Sequence, residues 1–304
     1  MRVEYKLDYM DPADDVKLYT FDQISSQLHY YLKKAVSKKG MKQMRSLLKD
    51  LDLDDDDEWI RIRKIEYYVK GNFTILDESG NEFEDIEAIV ENRFCNRRGM
   101  LKIFMTLFDM AGIPYEYGLT SDRTDIRFDP DFESYSFLED YLFYFPGINQ
   151  FLAPTELLFR VGFIPFNWTD NFGLFISTID GEIRDTVRYI EPLPSEQSSD
   201  LIDVKVRFDG DFETLHMDIA RTMTGYQATF LQPIFQLIPE TETQVVVTEL
   251  LNLTGKDVEL DNVEIENSGP MDLYRKPFML KGSITSSTAF YNRAGSKHLI
   301  RIVE

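Results

Sequence analysis

The chain has 304 residues, 43% of them hydrophobic and 13% aromatic, enough apolar material for a substantial core spread over one or two domains. It carries 53 acidic against 33 basic side chains, a formal charge of −20, which repels phosphate backbones and argues against nucleic acid as a partner. Cys95 is the only cysteine, so an intrachain disulfide and a cysteine-built metal cluster are excluded.

The start, MRVEYKLDYMDPADD, has neither the basic nor the apolar region of a signal peptide. VEYKL alternates like a strand almost from Met1, as expected of a segment belonging to a longer chain. Nowhere do apolar residues run to the roughly 18 that a membrane helix needs, and no membrane insertion is expected.

From Asp22 to Asp50, Ile24, Leu28, Leu32 and Val36 fall four apart, and Met44, Leu47 and Leu48 resume the face after Gly40. That pattern predicts one broken or two consecutive amphipathic helices. In LDLDDDDEWIRIRKIEYYVKG the carboxylates from Asp54 to Glu58 suit the positive end of a helix dipole, with Trp59, Ile62, Ile65 and Val69 as the apolar stripe up to Gly71. Asp50, Asp52 and Asp54 alternate as in an EF-hand loop, but Asp55 stands where that loop needs glycine and Arg61 where it needs glutamate. No metal and no cofactor are expected.

Between Arg97 and Ala111, residues Met100, Leu101, Ile103, Phe104, Met105, Leu107, Phe108 and Met110 surround most of a helix, which should therefore be central and buried. After Gly112 come β-type segments, YEYGLTS, SYSFLEDYLFYF, FLAPT and FGLFIST, broken by prolines and glycine. Helices followed by antiparallel strands make an α+β domain, placed at 1–191. The run IEPLPSEQSSD, 190–200, reads as a linker to a smaller α+β domain, 192–304. There Ile202, Val204, Val206 and Phe208 alternate, as do Leu215, Met217 and Ile219; YQATFLQPIFQLI and TQVVVTELLNL read as helices, and VELDNVEIE, FMLKGSI and HLIRIVE as strands.

Cys95 lies just before the central helix, which Asn96 is placed to cap, with Arg97 and Arg98 beside it; a thiol so placed is lowered in pKa. What a cysteine nucleophile also needs is a base. The histidines are His29 on the first helix, His216 on a strand position opposite the apolar face, and His298 in an end strand, with none between Gly112 and Ser199. Cys95 is accordingly expected to be a small, half-buried side chain at a helix start. The same lack of histidine excludes serine catalysis, and G-x-S-x-G is absent.

Residues 58–176 resemble the transglutaminase-like (papain-like) fold of large bacterial proteins, through IRIRKIEYYVKGNF, RRGMLKIFMTLFDMAGIPYEYGLTSDR, FLAPTELLFRVGFIPF and FGLFI. In that family a motif like G-x-C-x-D opens the central helix, fifteen residues before the glycine of a G-I-P turn. A histidine opens a later strand, and an aspartate begins a D-P-T sequence on the next. Carried onto this chain, the nucleophile position is Arg97, two residues past Cys95; the imidazole position is Asp140; and LAPT places Ala153 where the carboxylate belongs.

The resemblance thus implies a degenerate triad, a C-terminal companion domain and an extracytoplasmic setting. It implies an inert module that holds a protein or peptide partner in its former cleft, with Arg97, Arg98 and Arg123 as anion-pairing groups, Tyr135, Tyr141 and Tyr144 as aromatic anchors, and Asp140 on the same cleft surface. Two other expectations stand beside it: a Cys95-dependent protease, amidase or acyltransferase, and a glycan platform on the aromatic stretch 128–145.

Overall fold

The computed structural model describes residues 19–54, 57–210, 214–253, 260–286, 291–294 and 297–300. VEYKL, Asp55 and the last residues of HLIRIVE lie outside them. Contacts divide the chain into two units, Met1–Pro192 and Leu193–Glu304, and each mixes helix with antiparallel sheet, an α+β organisation.

In the first unit, α1 (Phe21–Leu32) opens on a capping box in which Thr20 and Gln23 satisfy each other's backbone N–H groups. α2 (Lys38–Asp50) starts where Ser37 Oγ accepts from the Gly40 N–H. The interruption expected at Gly40 falls instead at 33–37, because Gly40 sits inside a capped first turn. α3 (Glu58–Asn72) is capped by Asp57 and buries Ile62, Ile65 and Val69 as expected. It also buries Arg63, Glu66 and Lys70, so a second, charged face is sealed.

Short β1 (Thr74–Ile75) pairs in parallel with β2 (Phe94–Cys95), and α4 (Ile86–Asn92), capped by Asp85, lies between them in the chain. α5 (Arg97–Ala111) buries Met100, Leu101, Ile103, Phe104, Leu107 and Phe108, the central helix its pattern requires, and stops on Gly112 in the left-handed conformation (φ 65°).

Five strands follow, β3 (Glu116–Thr120), β4 (Asp140–Phe145), β5 (Gln150–Leu152), β6 (Asn171–Ile179) and β7 (Glu182–Ile190), in the spatial order β5-β4-β3-β6-β7, every pair antiparallel. Of SYSFLEDYLFYF only the last six residues are strand; Phe137 and Leu138 are buried in the turn before it. One sheet face, with Tyr117, Phe143, Phe145, Leu174 and Ile176, shares a core with the helices. The other, with Leu142, Tyr144, Phe175 and Ile190, is covered by Ala153, Ile164 and Trp168.

The second unit has β8 (Asp200–Phe208), β9 (Leu215–Met223), α6 (Glu240–Leu251), β10 (Asp261–Glu266) and β11 (Phe278–Ser286) in a sheet of order β10-β11-β9-β8. A separate pair, β12 (Tyr291–Ala294) and β13 (Lys297–Ile300), completes the described elements. YQATFLQPIFQLI, read as a helix, forms turns with 3-10 pieces only at Gly225–Gln227 and Ile234–Gln236. Pro233 interrupts the i→i−4 ladder there, and Leu231 and Phe235 pack on the sheet core.

Candidate functional site at the start of helix α5

Asn96 caps α5 as its position predicts, its side chain accepting from the Gly99 N–H at 2.9 Å. Gly99 matters for a second reason: a Cβ there would lie 2.1 Å from the Phe83 carbonyl oxygen, so only glycine lets the helix start close against residues 83–84. That approach delivers Glu84 to the cap, where it accepts from Asn96 Nδ2 at 3.3 Å and from Lys102 Nζ at 2.8 Å.

Cys95 is held one residue earlier by β1–β2 pairing and by its carbonyl, which accepts from the Leu76 N–H at 2.8 Å. Its side chain is fully buried rather than half-buried, packed into the apolar core against the first turn of α5 at Gly99. Burial pushes the thiol up to about 12, away from the thiolate that nucleophilic or redox chemistry needs. The first unit's one histidine among the described residues, His29, is engaged elsewhere, with Nδ1 at 2.7 Å from Tyr117 Oη. In the second unit His216 bridges Asp209 and Thr285.

At the mouth of the site, Arg97 Nη2 donates to Asp140 Oδ1 at 3.1 Å, with 43% of the arginine side chain and 19% of the aspartate side chain exposed. Burial pushes the Asp140 carboxyl up, Arg97 pulls it back, and Glu156 and Asp122 add to the rise, so Asp140 stays above the usual aspartate value. The Arg97 guanidinium lies 5.8 Å from the centroid of the Tyr141 ring. Arg98 is held above its ordinary pKa first by its hydrogen bond with Tyr141, with Glu84 (3.9 Å) and Tyr31 contributing. Arg97, Arg98, Asp140 and Tyr141 are thus brought together by α5 and β4.

The remaining candidates lie apart. Arg123 donates to the Phe166 carbonyl from the loop beyond β3. Tyr135 is half-buried on the helical core, its ring 6.1 Å from that of Tyr19. Tyr144 is no surface anchor: it is 9% exposed on the opposite sheet face, 4.2 Å beneath the Arg188 guanidinium, with its hydroxyl on Asn149. Strand alternation sends Tyr141 and Tyr144 to different faces, so the 128–145 stretch offers no continuous aromatic platform. Ala153, just past the Leu152 that pairs with Phe143, is buried on the Tyr144 face.

Glu84, Lys102 and Tyr31 were not singled out from the sequence. Arg98 and Lys102, one turn apart on α5, were a signal that an anion must sit beside them. From Glu84 and Lys102 a groove of about 640 Å³ runs along the outer face of α5, floored by Met41, Ile86, Met105 and Met110.

Comparison with protein-family models, with curated proteins and with solved structures returned no match. Among the described residues no group of three or more His, Cys, Asp or Glu is arranged to hold a metal ion, and no helix is long and apolar enough to cross a membrane.

Proposed function

We propose that this chain is a transglutaminase-like module without a catalytic triad, serving as an interaction or scaffold unit whose partner is a protein or peptide docking at the start of α5. The observation that carries this reading is the Arg97–Asp140 ion pair at 3.1 Å. The two positions that the resemblance assigns to nucleophile and imidazole adjoin in space, and their occupants are a guanidinium and a carboxylate. An arginine keeps its proton at any ordinary pH and attacks nothing; a carboxylate bonded to it is not a free base. The third position, Ala153, has no proton-accepting atom in its side chain.

What the site retains suits recognition. Arg97 and Arg98 present partly exposed guanidinium groups around Tyr141, with Tyr31 alongside, the residue types that dominate binding energy at protein interfaces. Displayed-peptide selection on the wild-type protein, with each selected peptide retested on Arg97→Ala and Tyr141→Ala, checks the assignment. Peptides of this site should weaken by roughly 30-fold or more, the size of a hot-spot loss. Equal binding to all three proteins would remove the partner site. Lack of catalysis has its own measurement: iodoacetamide at neutral pH should label native Cys95 far more slowly than free cysteine, and labelling at or above the free rate would restore a cysteine enzyme.

A further inference from the structure

The second unit's sheet ends on two unlike edges. At one, β10 is six residues long, its register with β11 shifts between Asp261 and Glu264, and it carries Asp261, Glu264 and Glu266, the devices by which a sheet edge is made unfit for pairing. At the other, β8 runs nine residues in unbroken register against β9, with Leu201 63% exposed and Ile202 45% exposed. Among the described residues β8 pairs with β9 alone.

The charges on β8 are also incompletely matched. Lys205 stands opposite Asp218 on β9, but Asp218 already accepts from Arg207 Nη2 at 2.7 Å and from Ser283 Oγ at 3.1 Å. Asp203 stands opposite Ala220, which offers no charge. Among the described residues neither Asp203 nor Lys205 takes part in an ion pair.

We infer that two copies of this chain join edge to edge through β8, antiparallel about a twofold axis at Val204. The register follows from geometry. Antiparallel pairing matches residues of the same hydrogen-bonding type, so when a strand pairs with its own copy the axis must pass through a residue and not between two. An axis at Asp203 or Lys205 would set like charges directly against each other. At Val204 it sets Asp203 against Lys205 of the second copy and Lys205 against its Asp203, two ion pairs from one strand. Ile202 then meets Val206 across the axis, extending the face on which Val204, Val206 and Phe208 already pack, and the aliphatic stem of Arg207 covers Leu201.

Sedimentation velocity on the full chain across a micromolar concentration series tests this. Wild type should dimerise; Asp203→Lys alone and Lys205→Asp alone should each weaken the dimer about tenfold or more, because two attractive cross-strand contacts become repulsive. The double exchange Asp203→Lys/Lys205→Asp should restore it. A Val204→Cys variant should form an intermolecular disulfide under mild oxidation, with buried Cys95 contributing no competing thiol. A wild type that stays monomeric up to hundreds of micromolar overturns the inference. A dimer insensitive to the charge changes, or one that the double exchange fails to restore, does so too, the first by placing the contact elsewhere and the second by excluding the Val204 register.

Discussion

Glu66 and Asp140 are both carboxylates held by arginine in the first unit, one sealed from water and the other 19% exposed beside an arginine that is 43% exposed. Glu66 has no exposed side-chain surface: it accepts from Lys70 Nζ at 2.8 Å, Arg63 Nη1 at 3.2 Å and the Val161 N–H at 2.9 Å. Lys70 donates in addition to the Glu156 and Phe159 carbonyls, so the cluster fastens the 156–161 loop onto α3. Asp140 meets a half-exposed Arg97 at a surface where both groups still touch water. The same pair chemistry is therefore sealed in one place and reached by solvent in the other, and burial decides which.

The largest expected effect breaks the sealed cluster. Burial alone would push Glu66 up, but Lys70, Arg63 and Arg160 together hold it below the usual glutamate value. Glu66→Gln leaves those three cations without their counter-charge and should cost about 3–5 kcal/mol in chemical denaturation, the penalty for breaking a buried pair by removing one partner. A loss under about 1 kcal/mol would mean that water reaches the cluster.

Lys70 sharpens the same contrast through pH. Burial, opposed by Glu66, pushes its ammonium down to about 8 from an ordinary 10.5. Between those pH values the unfolded chain holds the proton more often than the folded one, so this group makes stability rise with pH, by at most roughly 1 kcal/mol per pH unit. Lys39 and Lys281 act in the opposite sense, because carboxylate hydrogen bonds raise their pKa. The difference between wild type and Lys70→Met in urea midpoint from pH 7 to 10.5 isolates the rise; a flat difference would contradict a buried, proton-losing Lys70.

A smaller effect belongs to the site's local frame. Asn96→Ala removes the α5 cap and one of the donors to Glu84, and should cost about 1 kcal/mol in the same measurement. Such local features were legible before any fold was known. Asn96 could be placed as a cap, Asp57 among the first-turn carboxylates, and α5 as a central helix, because capping and a 3.6-residue period are written in neighbouring positions. β7 was not legible: in EIRDTVRYI the half-buried Ile183 and Val187 are separated by charges, and only its pairing with β6 makes the segment a strand.

The site divides the same way. Arg97 and Asp140 were each singled out but their ion pair was not, and the three-residue spacing of Tyr141 and Tyr144 already implied opposite strand faces. Glu84 could not be anticipated, since only the close approach at Gly99 brings it to the cap. Nor could the sealing of Arg63, Glu66 and Lys70, although their i, i+3 and i+4 spacing gave them the means to pair.

The smallest stability effect is expected at the open pair, and it separates holding the fold from holding a partner. Because Arg97 is nearly half exposed, Arg97→Ala should change stability by no more than about 1 kcal/mol. Without Arg97, the carboxyl of Asp140 is left to burial and to the nearby Glu156 and Asp122 charges, all of which favour its protonated form. The deficit should therefore be present at neutral pH and shrink as pH falls and Asp140 takes up a proton. Asp140→Asn in the Arg97→Ala background should remove most of it at pH 7. A double-mutant cycle at pH 7 measures this directly: coupling of about 1 kcal/mol or less, with peptide binding still lost in Arg97→Ala, assigns the pair to recognition. Coupling as large as that expected around Glu66 would instead make Arg97–Asp140 a second structural fastening.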